Sequence, residues 1–225
     1  MNTPYSCILF DLDGTIVDSA AGIIASLVFT LEQLDLPIPD AAGLLAYVGP
    51  PLLDSFRDFA KLDATGAEAA IVVYRAHYQS GGIFDATVYP GVAALLARIH
   101  ERAVPMSLAT SKPQSAAHRV LDHFSLNQFF TFVAGASDDE VRSSKADVIT
   151  HALENLTALG VDISNPVLVG DREHDVFGAA AHGIPTIMVE WGYGSVEEQT
   201  GTIGVASTAH ELDELLFGVA ERKVA

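Results

Sequence analysis

Five short apolar runs, separated by helical patterns, limit the folds open to this chain more than any other feature. The runs are Cys7–Phe10, Pro105–Ala109, Phe132–Ala134, Val167–Gly170 and Thr186–Val189. Runs this short and this apolar are typical of strands buried on both faces of a parallel sheet. Helical patterns lie around the later runs, at Pro90–Arg102, Pro113–Phe124, Lys145–Leu159 and His174–His182. The alternation predicts an α/β fold, a Rossmann-like doubly wound parallel sheet with helices on both faces.

One segment departs from this alternation. Between about Val17 and Asp85 the sequence has helical patterns and turns but no convincing strand. Three helices are predicted there, in Ser19–Leu34, in the proline-started "GPPLLDSFRDFA" and in Glu68–Gln79. We therefore predict a small all-helical domain, residues 17–85, inserted after the first strand. Residues 1–16 and 86–225 would form the α/β core, with hinges at Thr15–Ser19 and Gly81–Pro90.

Charge and composition narrow the partners. The net charge of −17 disfavours nucleic acid, because a polyanion is repelled by so acidic a surface. The longest apolar-rich stretch, Ala20–Leu31, is too short to span a bilayer, and the first residues lack the basic residues of a signal peptide. A single cysteine, Cys7, excludes an internal disulfide framework and fits a reducing compartment. We expect a cytoplasmic protein with no membrane or nucleic-acid partner; monomer and dimer both stay open.

Two carboxylates follow the first apolar run directly. In extended chain, Asp11 and Asp13 point to the same side while Leu12 turns away. Gly14 permits a tight turn whose backbone N–H groups can receive an anion. Taken alone, the pair also suits a metal-only site or a turn cap. A buried pair of like charges needs a compensating cation or partner.

The other predicted strands deliver polar groups to the same edge of the sheet. Thr110 and Ser111 end the second run, where hydroxyls and helix-start amides suit an anion, although Ser111 also reads as a plain N-cap. Asp171 and Asp175, around the fourth run, would join Asp11 in an all-oxygen cluster suited to Mg²⁺. Asp175 alone also reads as a helix cap.

Lys145 is unusual because it opens a predicted helix, where the helix dipole disfavours a cation. The alternatives are a solvated surface lysine and a lysine that neutralises a nucleophile and a phosphate oxygen. Carboxylates, a hydroxyl, a lysine and a divalent metal together form a phosphoryl-transfer site.

With these residues the chain resembles the haloacid dehalogenase-like superfamily over nearly its whole length. "DLDGT", "ATSKP", Lys145 and "GDREHD" match the four motifs of that superfamily in order, and the helical insert resembles its cap. "GDREHDVFGAAAHGI" and "WGYGS" resemble the phosphoglycolate phosphatase branch. One departure is Ala146 after Lys145, where many relatives have proline.

The resemblance implies a role for each motif residue. Asp11 would attack phosphorus to form an aspartyl-phosphate, and Asp13 would protonate the leaving oxygen and then activate water. Thr110 and Lys145 complete the implied catalytic set. The implied phosphate-binding groups are Leu12, Asp13, Gly14, Thr110, Ser111 and Lys145. The implied Mg²⁺ ligands are Asp11, the backbone carbonyl of Asp13, Asp171 and Asp175, the last directly or through water.

The predicted substrate is a small phosphorylated metabolite, such as phosphoglycolate, a nucleotide or a sugar phosphate. "YVGPPL" is a candidate cap loop for substrate contact, through Gly49 and Pro50. Arg57, Lys61 and Arg75 could meet a substrate anion, or simply be solvated, and Trp191 and Tyr193 are expected to pack rather than bind. Two other functions stay open: a sugar phosphomutase of the same superfamily and a non-catalytic phosphometabolite-binding protein.

Overall fold

A six-stranded parallel sheet is the centre of the protein. The computed structural model describes residues 3–218. The strands of the described residues, in chain order, are β1 Cys7–Phe10, β2 Val17–Asp18, β3 Thr87–Val88, β4 Met106–Pro113, β5 Phe132–Ala136, β6 Pro166–Gly170, β7 Thr186–Val189 and β8 Gly204–Ala206. All of them except β2 and β3 belong to the six-stranded sheet. The sheet order is β5-β4-β1-β6-β7-β8, and every neighbouring pair is parallel. The order reverses on either side of β1, and ligands of such sheets bind at the carboxyl ends of the strands beside that point.

Nine α-helices are assigned among residues 3–218. They are α1 Ala20–Gln33, α2 Ala41–Leu45, α3 Leu52–Asp58, α4 Ala64–Ser80, α5 Val92–Glu101, α6 Gln114–His123, α7 Lys145–Ala158, α8 Glu173–Ala180 and α9 Ala209–Phe217. Short 3₁₀ turns occupy Gly82–Phe84, Asn127–Phe129 and Val196–Gln199. No helix in the described part of the chain is both long and apolar enough to cross a membrane.

Alternate residues of β1 pack into two different hydrophobic clusters. Ile8 and Phe10 lie in one cluster with residues of α5 and α6, whereas Cys7 and Leu9 lie in the other with residues of α7. All four side chains are buried. Burial on both faces explains the unbroken apolar run and fixes the residues that follow it. The predicted doubly wound α/β fold is confirmed.

Helices α1–α4 form an insert that we call the cap. It connects to the sheet through β2 and β3, which pair antiparallel with Val17 opposite Val88 and Asp18 opposite Thr87. The larger hydrophobic cluster continues from the sheet into the cap through α1 and α4. Gly22 in α1 is required by close packing, because a Cβ there would lie 1.9 Å from the carbonyl oxygen of Gly82. The exact domain bounds 17–85 stay a prediction.

Several elements, most of them short, were not predicted from the sequence. They are the two-residue strands β2 and β3, the five-residue helix α2, the three-residue strand β8 and helix α9. β4 is also longer than predicted, since it continues through Pro113 with a register shift against β5 after Thr110. This shift changes the backbone path at "ATSKP", the segment that contains Ser111 and Lys112.

Candidate active site

Asp11 and Asp13 follow β1 and are both buried, with 4% and 7% of their surface exposed. Leu12 between them points into the core, and its carbonyl accepts the N–H groups of Ile16 and Val17 at 2.9 and 3.0 Å. The chain therefore turns sharply while both carboxylates stay on the site side. The Gly14 amide donates to the carbonyl of Val17 at 2.8 Å, so it is occupied by the turn. The predicted phosphate contacts of Leu12, Asp13 and Gly14 stay predictions, and the Gly14 amide is engaged within the turn in this structure.

Gly14 instead serves the site through its small size. Its φ is +83°, and a Cβ there would lie 2.2 Å from Oδ2 of Asp171. Only glycine combines this backbone conformation with the close approach of the Asp171 carboxylate.

Gly14→Ala should therefore destabilise the protein and displace Asp171. We expect about 1–3 kcal/mol from the left-handed backbone alone, and a further loss from the overlap. Gly160→Ala is the matched control, because Gly160 has φ +77° but nothing within 4 Å of its Cβ position. Thermal unfolding with and without Mg²⁺ measures both effects. Equal losses in the two variants would contradict the steric role of Gly14.

Lys145 binds two of the site carboxylates at once. It opens α7, where Ser144 caps the helix by accepting the N–H of Asp147 at 3.2 Å. Its Nζ lies 2.9 Å from Asp11 Oδ1, 2.7 Å from Asp175 Oδ1 and 2.9 Å from the carbonyl of Ala109. Burial acts to lower the pKa of Lys145, but the neighbouring carboxylates prevail and raise it above its usual value. Lys145 is thus a buried ammonium, not a solvated surface residue.

Asp171 and Asp175 complete a carboxylate cluster with Asp11. One oxygen from each of the three lies within 4.8 Å of the others, and all three residues are buried. Burial raises the pKa of Asp11 to about 6, against the opposing effect of Lys145. Burial also raises the pKa of Asp171 well above its usual value, and the charge of Asp175 adds to this. Three buried carboxylates beside one ammonium leave an excess of negative charge, and the all-oxygen donor set fits Mg²⁺.

Each acid in the cluster is also held by its own partners. Asp171 accepts the hydroxyl of Thr15 at 3.1 Å and the backbone N–H of Tyr193 at 2.8 Å. Asp175 Oδ2 accepts the N–H groups of Asp171 and Arg172, both at 3.1 Å. Asp175 therefore does act in capping α8, while its Oδ1 faces Lys145. The two interpretations of Asp175 are compatible.

Thr110 and Ser111 stand on an extended segment, not at a helix start. Thr110 is buried, and its hydroxyl accepts the N–H of Lys112 at 3.3 Å. α6 begins only at Gln114, because Pro113 keeps an extended ψ of 133°. The predicted helix over Pro113–Phe124 thus starts one residue late. Ser111 is therefore not the N-cap of α6, although it lines the same cavity as Ser115 and Ala116 of the first turn of that helix.

Lys112 is a site residue that sequence reasoning missed. Its Nζ lies 2.9 Å from both carboxylate oxygens of Asp13, and Ser19 donates to Asp13 Oδ1 at 2.6 Å. Burial acts to lower the pKa of Lys112, but the charge of Asp13 prevails and raises it. The available signal was a cation inside a motif loop of a chain with only four lysines.

The loop after β7 contacts residues of the site and of the connection to the cap. Trp191 donates its indole N–H to the carbonyl of Thr15 at 3.1 Å, and the Tyr193 hydroxyl donates to Asp18 at 2.9 Å. Gly194 is required there, since a Cβ would lie 1.9 Å from the carbonyl of Asp171. The loop thus ties Asp171 to the start of the cap connection.

A cavity of about 280 Å³ lies between the cap and the core. Asp13, Ser111 and Lys112 line it from the core. From the cap it is lined by Gly49 and Pro50 of the predicted contact loop and by Tyr47, Tyr74 and Tyr78. Asp11 does not line it, so the cavity lies on the Asp13 side of the cluster.

Two arginines join the cap to the core outside the β2–β3 connection. Arg75 of α4 pairs with Glu140 and donates to the carbonyl of Asp138 at 2.8 Å. Arg172 donates to the carbonyl of Val48 at 2.7 Å and pairs with Glu198 at 2.9 Å. Arg57, predicted as a substrate contact, is exposed and does not line the cavity. α3 turns Ser55 and Phe56 inward instead, which places Arg57 on the solvent side.

Comparison with known proteins agrees with this geometry. The family model described as "Haloacid dehalogenase-like hydrolase" matches residues 8–189. The chain belongs to this family. The match covers β4, β6, α7 and all of β1 except Cys7, and these elements carry the candidate site, so the resemblance suggested by the four motifs is confirmed.

Individual relatives of this haloacid dehalogenase-like hydrolase have different names. "Tyrosine-protein kinase PtkA" of Mycobacterium tuberculosis is 43% identical over 93% of this chain and 72% of its own length. A "5'-nucleotidase" of Pseudomonas aeruginosa is 35% identical, covering 86% of both chains. A "Phosphoglycolate phosphatase" of Rhodospirillum rubrum is 33% identical over 83% of this chain and 80% of its own. The crystal structure of a predicted phosphatase from Clostridium acetobutylicum superposes with a TM-score of 0.88, at 37% identity and 94% and 97% coverage.

Proposed function

We propose that this protein is a Mg²⁺-dependent phosphatase that hydrolyses a small phosphomonoester through an aspartyl-phosphate. The observation that carries the proposal is the buried cluster of Asp11, Asp171 and Asp175, in which Lys145 contacts Asp11 and Asp175, beside a cavity lined by Asp13. A nucleophile, a separate acid/base and a cation-binding cluster are the parts that phosphoryl transfer needs. Relatives named as 5'-nucleotidase and phosphoglycolate phosphatase support the same class of reaction.

The residues divide the work by position. Asp11, fixed by Lys145 at 2.9 Å, attacks phosphorus, and Lys145 offsets charge on the phosphoryl oxygens. Asp13 lines the cavity, so it donates a proton to the leaving oxygen there and later takes one from water. Thr110, Ser111 and the amides of Leu12 and Asp13 hold the phosphoryl group in this proposal.

Asp11, Asp171, Asp175 and the carbonyl of Asp13 would hold Mg²⁺. The bound ion would supply charge neutralisation for the approach of an anionic substrate to an anionic nucleophile. We further propose that the protein acts in the cytoplasm, as a monomer or dimer, on a soluble phosphorylated metabolite rather than on nucleic acid or membrane.

Phosphate release tests the proposal. Purified protein with Mg²⁺ should release phosphate from a panel of small phosphomonoesters, and excess chelator should stop the release until Mg²⁺ is restored. Rates that are unchanged in excess chelator would remove Mg²⁺ from the function. Formation of a sugar-phosphate isomer without free phosphate, from a hexose 1-phosphate plus a bisphosphate primer, would favour the phosphomutase. Binding without turnover across the panel would favour the phosphometabolite-binding protein.

The kinase name of one relative adds a further arm to this experiment. An aspartyl-phosphate can in principle pass its phosphoryl group to a hydroxyl as well as to water. Incubation with γ-labelled ATP and a tyrosine-containing peptide measures that transfer directly. Label on tyrosine, exceeding the release of free phosphate, would overturn the phosphatase proposal.

A further inference from the structure

The residues that line the cavity between cap and core indicate which class of phosphomonoester the protein hydrolyses, provided that the proposed phosphatase function holds. Asp13 lines the cavity and Asp11 does not, so the space lies where the leaving group of a phosphomonoester would sit. The residues that line it would therefore contact the alcohol half of the substrate. That half is what separates phosphoglycolate from nucleotides and sugar phosphates.

Among the described residues that line the cavity, no cation is free to bind a substrate carboxylate. Two cationic residues line it, Arg75 and Lys112. Arg75 pairs with Glu140 and also donates to the carbonyl of Asp138, while Lys112 contacts both oxygens of Asp13.

The lining acids outnumber these cations. Asp13, Asp138 and Glu140 line the same space, so acids exceed cations by three to two. Glu140 and Arg75 are both largely withdrawn from solvent, with side-chain exposures of 16% and 26%. A carboxylate brought into this space finds both cations already paired and lies near the Glu140 carboxylate, which disfavours its binding.

Aromatic rings form the cap side of the cavity. Tyr74 and Tyr78 stack with centroids 5.5 Å apart, and Tyr47 lines the same space. The Tyr78 hydroxyl makes no hydrogen bond to another described residue, although only 5% of the residue is exposed and the Lys112 Nζ lies 4.8 Å from its ring centroid. A buried hydroxyl without a partner is costly, so a polar group of the ligand is its natural complement. A volume of about 280 Å³ is also much larger than a two-carbon acid fills.

We propose that the leaving group is an uncharged alcohol that carries a flat ring and polar substituents, the class to which nucleosides belong. Its ring packs against the tyrosines of the cap, and one of its polar groups pairs with the Tyr78 hydroxyl. Phosphoglycolate is a poor substrate, because its carboxylate meets cations that are already paired.

Two substrate comparisons test this proposal. Uridine 5'-monophosphate is compared with phosphoglycolate, and benzyl phosphate with 4-carboxybenzyl phosphate, which has the same ester and ring plus one carboxylate. We expect kcat/KM to favour the uncharged leaving group by about tenfold or more in each pair. A value for either carboxylate substrate equal to or above that of its partner overturns the proposal. No phosphate from any substrate, including 4-nitrophenyl phosphate, would instead refute the phosphatase function itself.

Variants of the Arg75–Glu140 pair test the electrostatic cause. Glu140→Gln releases Arg75, so the benzyl to carboxybenzyl ratio should fall by about threefold or more. Arg75→Gln leaves Glu140 without its cation, so the same ratio should rise. Glu68→Gln is the control, because Glu68 is an exposed acid on α4, the helix of Arg75, and does not line the cavity. The proposal is overturned if the ratio does not move in opposite directions in the two variants, or if Glu68→Gln moves it equally.

Discussion

Replacing Asp11 with asparagine should lower kcat/KM for phosphate release by about 10⁴-fold or more, because an amide cannot supply the attacking oxygen. The change also removes one of three carboxylates from the cation-binding cluster. Steady-state phosphate release measures the loss. Acid quenching of the wild-type protein with ³²P-labelled substrate should trap label on the chain, and the variant should trap none.

The fold should survive this substitution. Lys145 keeps its contacts with Asp175 and the carbonyl of Ala109, and one repulsive carboxylate disappears from a buried cluster. The melting temperature without metal should therefore not fall appreciably. Asp122→Asn is a suitable control, since Asp122 is an exposed acid on α6 and should tolerate the same change. An Asp11→Asn protein with a tenth or more of wild-type activity would refute the nucleophile.

Replacing Lys145 with methionine should give the largest loss of stability. Lys145 contacts both Asp11 and Asp175, and its side chain is only 5% exposed. Removing one partner from a buried ion pair leaves uncompensated charge, which typically costs about 3–5 kcal/mol. We expect a loss of this size in the free energy of unfolding, measured by denaturant titration without metal at pH 8.

The loss should be smaller at pH 5 than at pH 8. The pKa of Asp11 is raised to about 6, so at pH 5 much of this carboxyl is protonated and needs no ammonium beside it. Mg²⁺ at pH 8 should restore part of the loss, because a divalent cation neutralises the same carboxylates. Lys112→Met is the comparison: Asp13 keeps its bond from Ser19, so the loss should be smaller. Equal denaturation midpoints for Lys145→Met and wild type would contradict the role of this cluster.

The sequence predicts those parts of the protein that depend on local patterns. Apolar runs marked β1, β6 and β7 to within one residue at each end, since burial on both faces leaves an unbroken apolar signature. The acids after those runs could be placed at one edge, because parallel strands end together. Lys145 was recognisable from its unfavourable position at a helix start.

The features that could not be predicted depend on contacts between residues far apart in the chain, or on which side of a helix a given residue faces. Lys112 and Asp13 are 99 residues apart, and their contact depends on the irregular end of β4. The Gly14 amide is consumed by a turn that closes on Val17, which no residue pattern reveals. Arg57 is an example of the second kind, because successive residues of a helix point about 100° apart. Its neighbour Phe56 faces the core, so Arg57 cannot. Strands of two or three residues, such as β2 and β8, are too short to carry a periodic signal.

The antiparallel ribbon of β2 and β3 determines the freedom of the cap. Both passages of the chain between core and cap lie side by side, held in register by the pairing of Val17 with Val88. Two crossings bonded to each other cannot slide or separate independently, but a ribbon this short can bend out of its own plane. We therefore expect the cap to move relative to the core mainly by rotation about this ribbon. Such a rotation has to break the Arg75–Glu140 and Arg172–Val48 contacts, which join the cap to the core outside the ribbon.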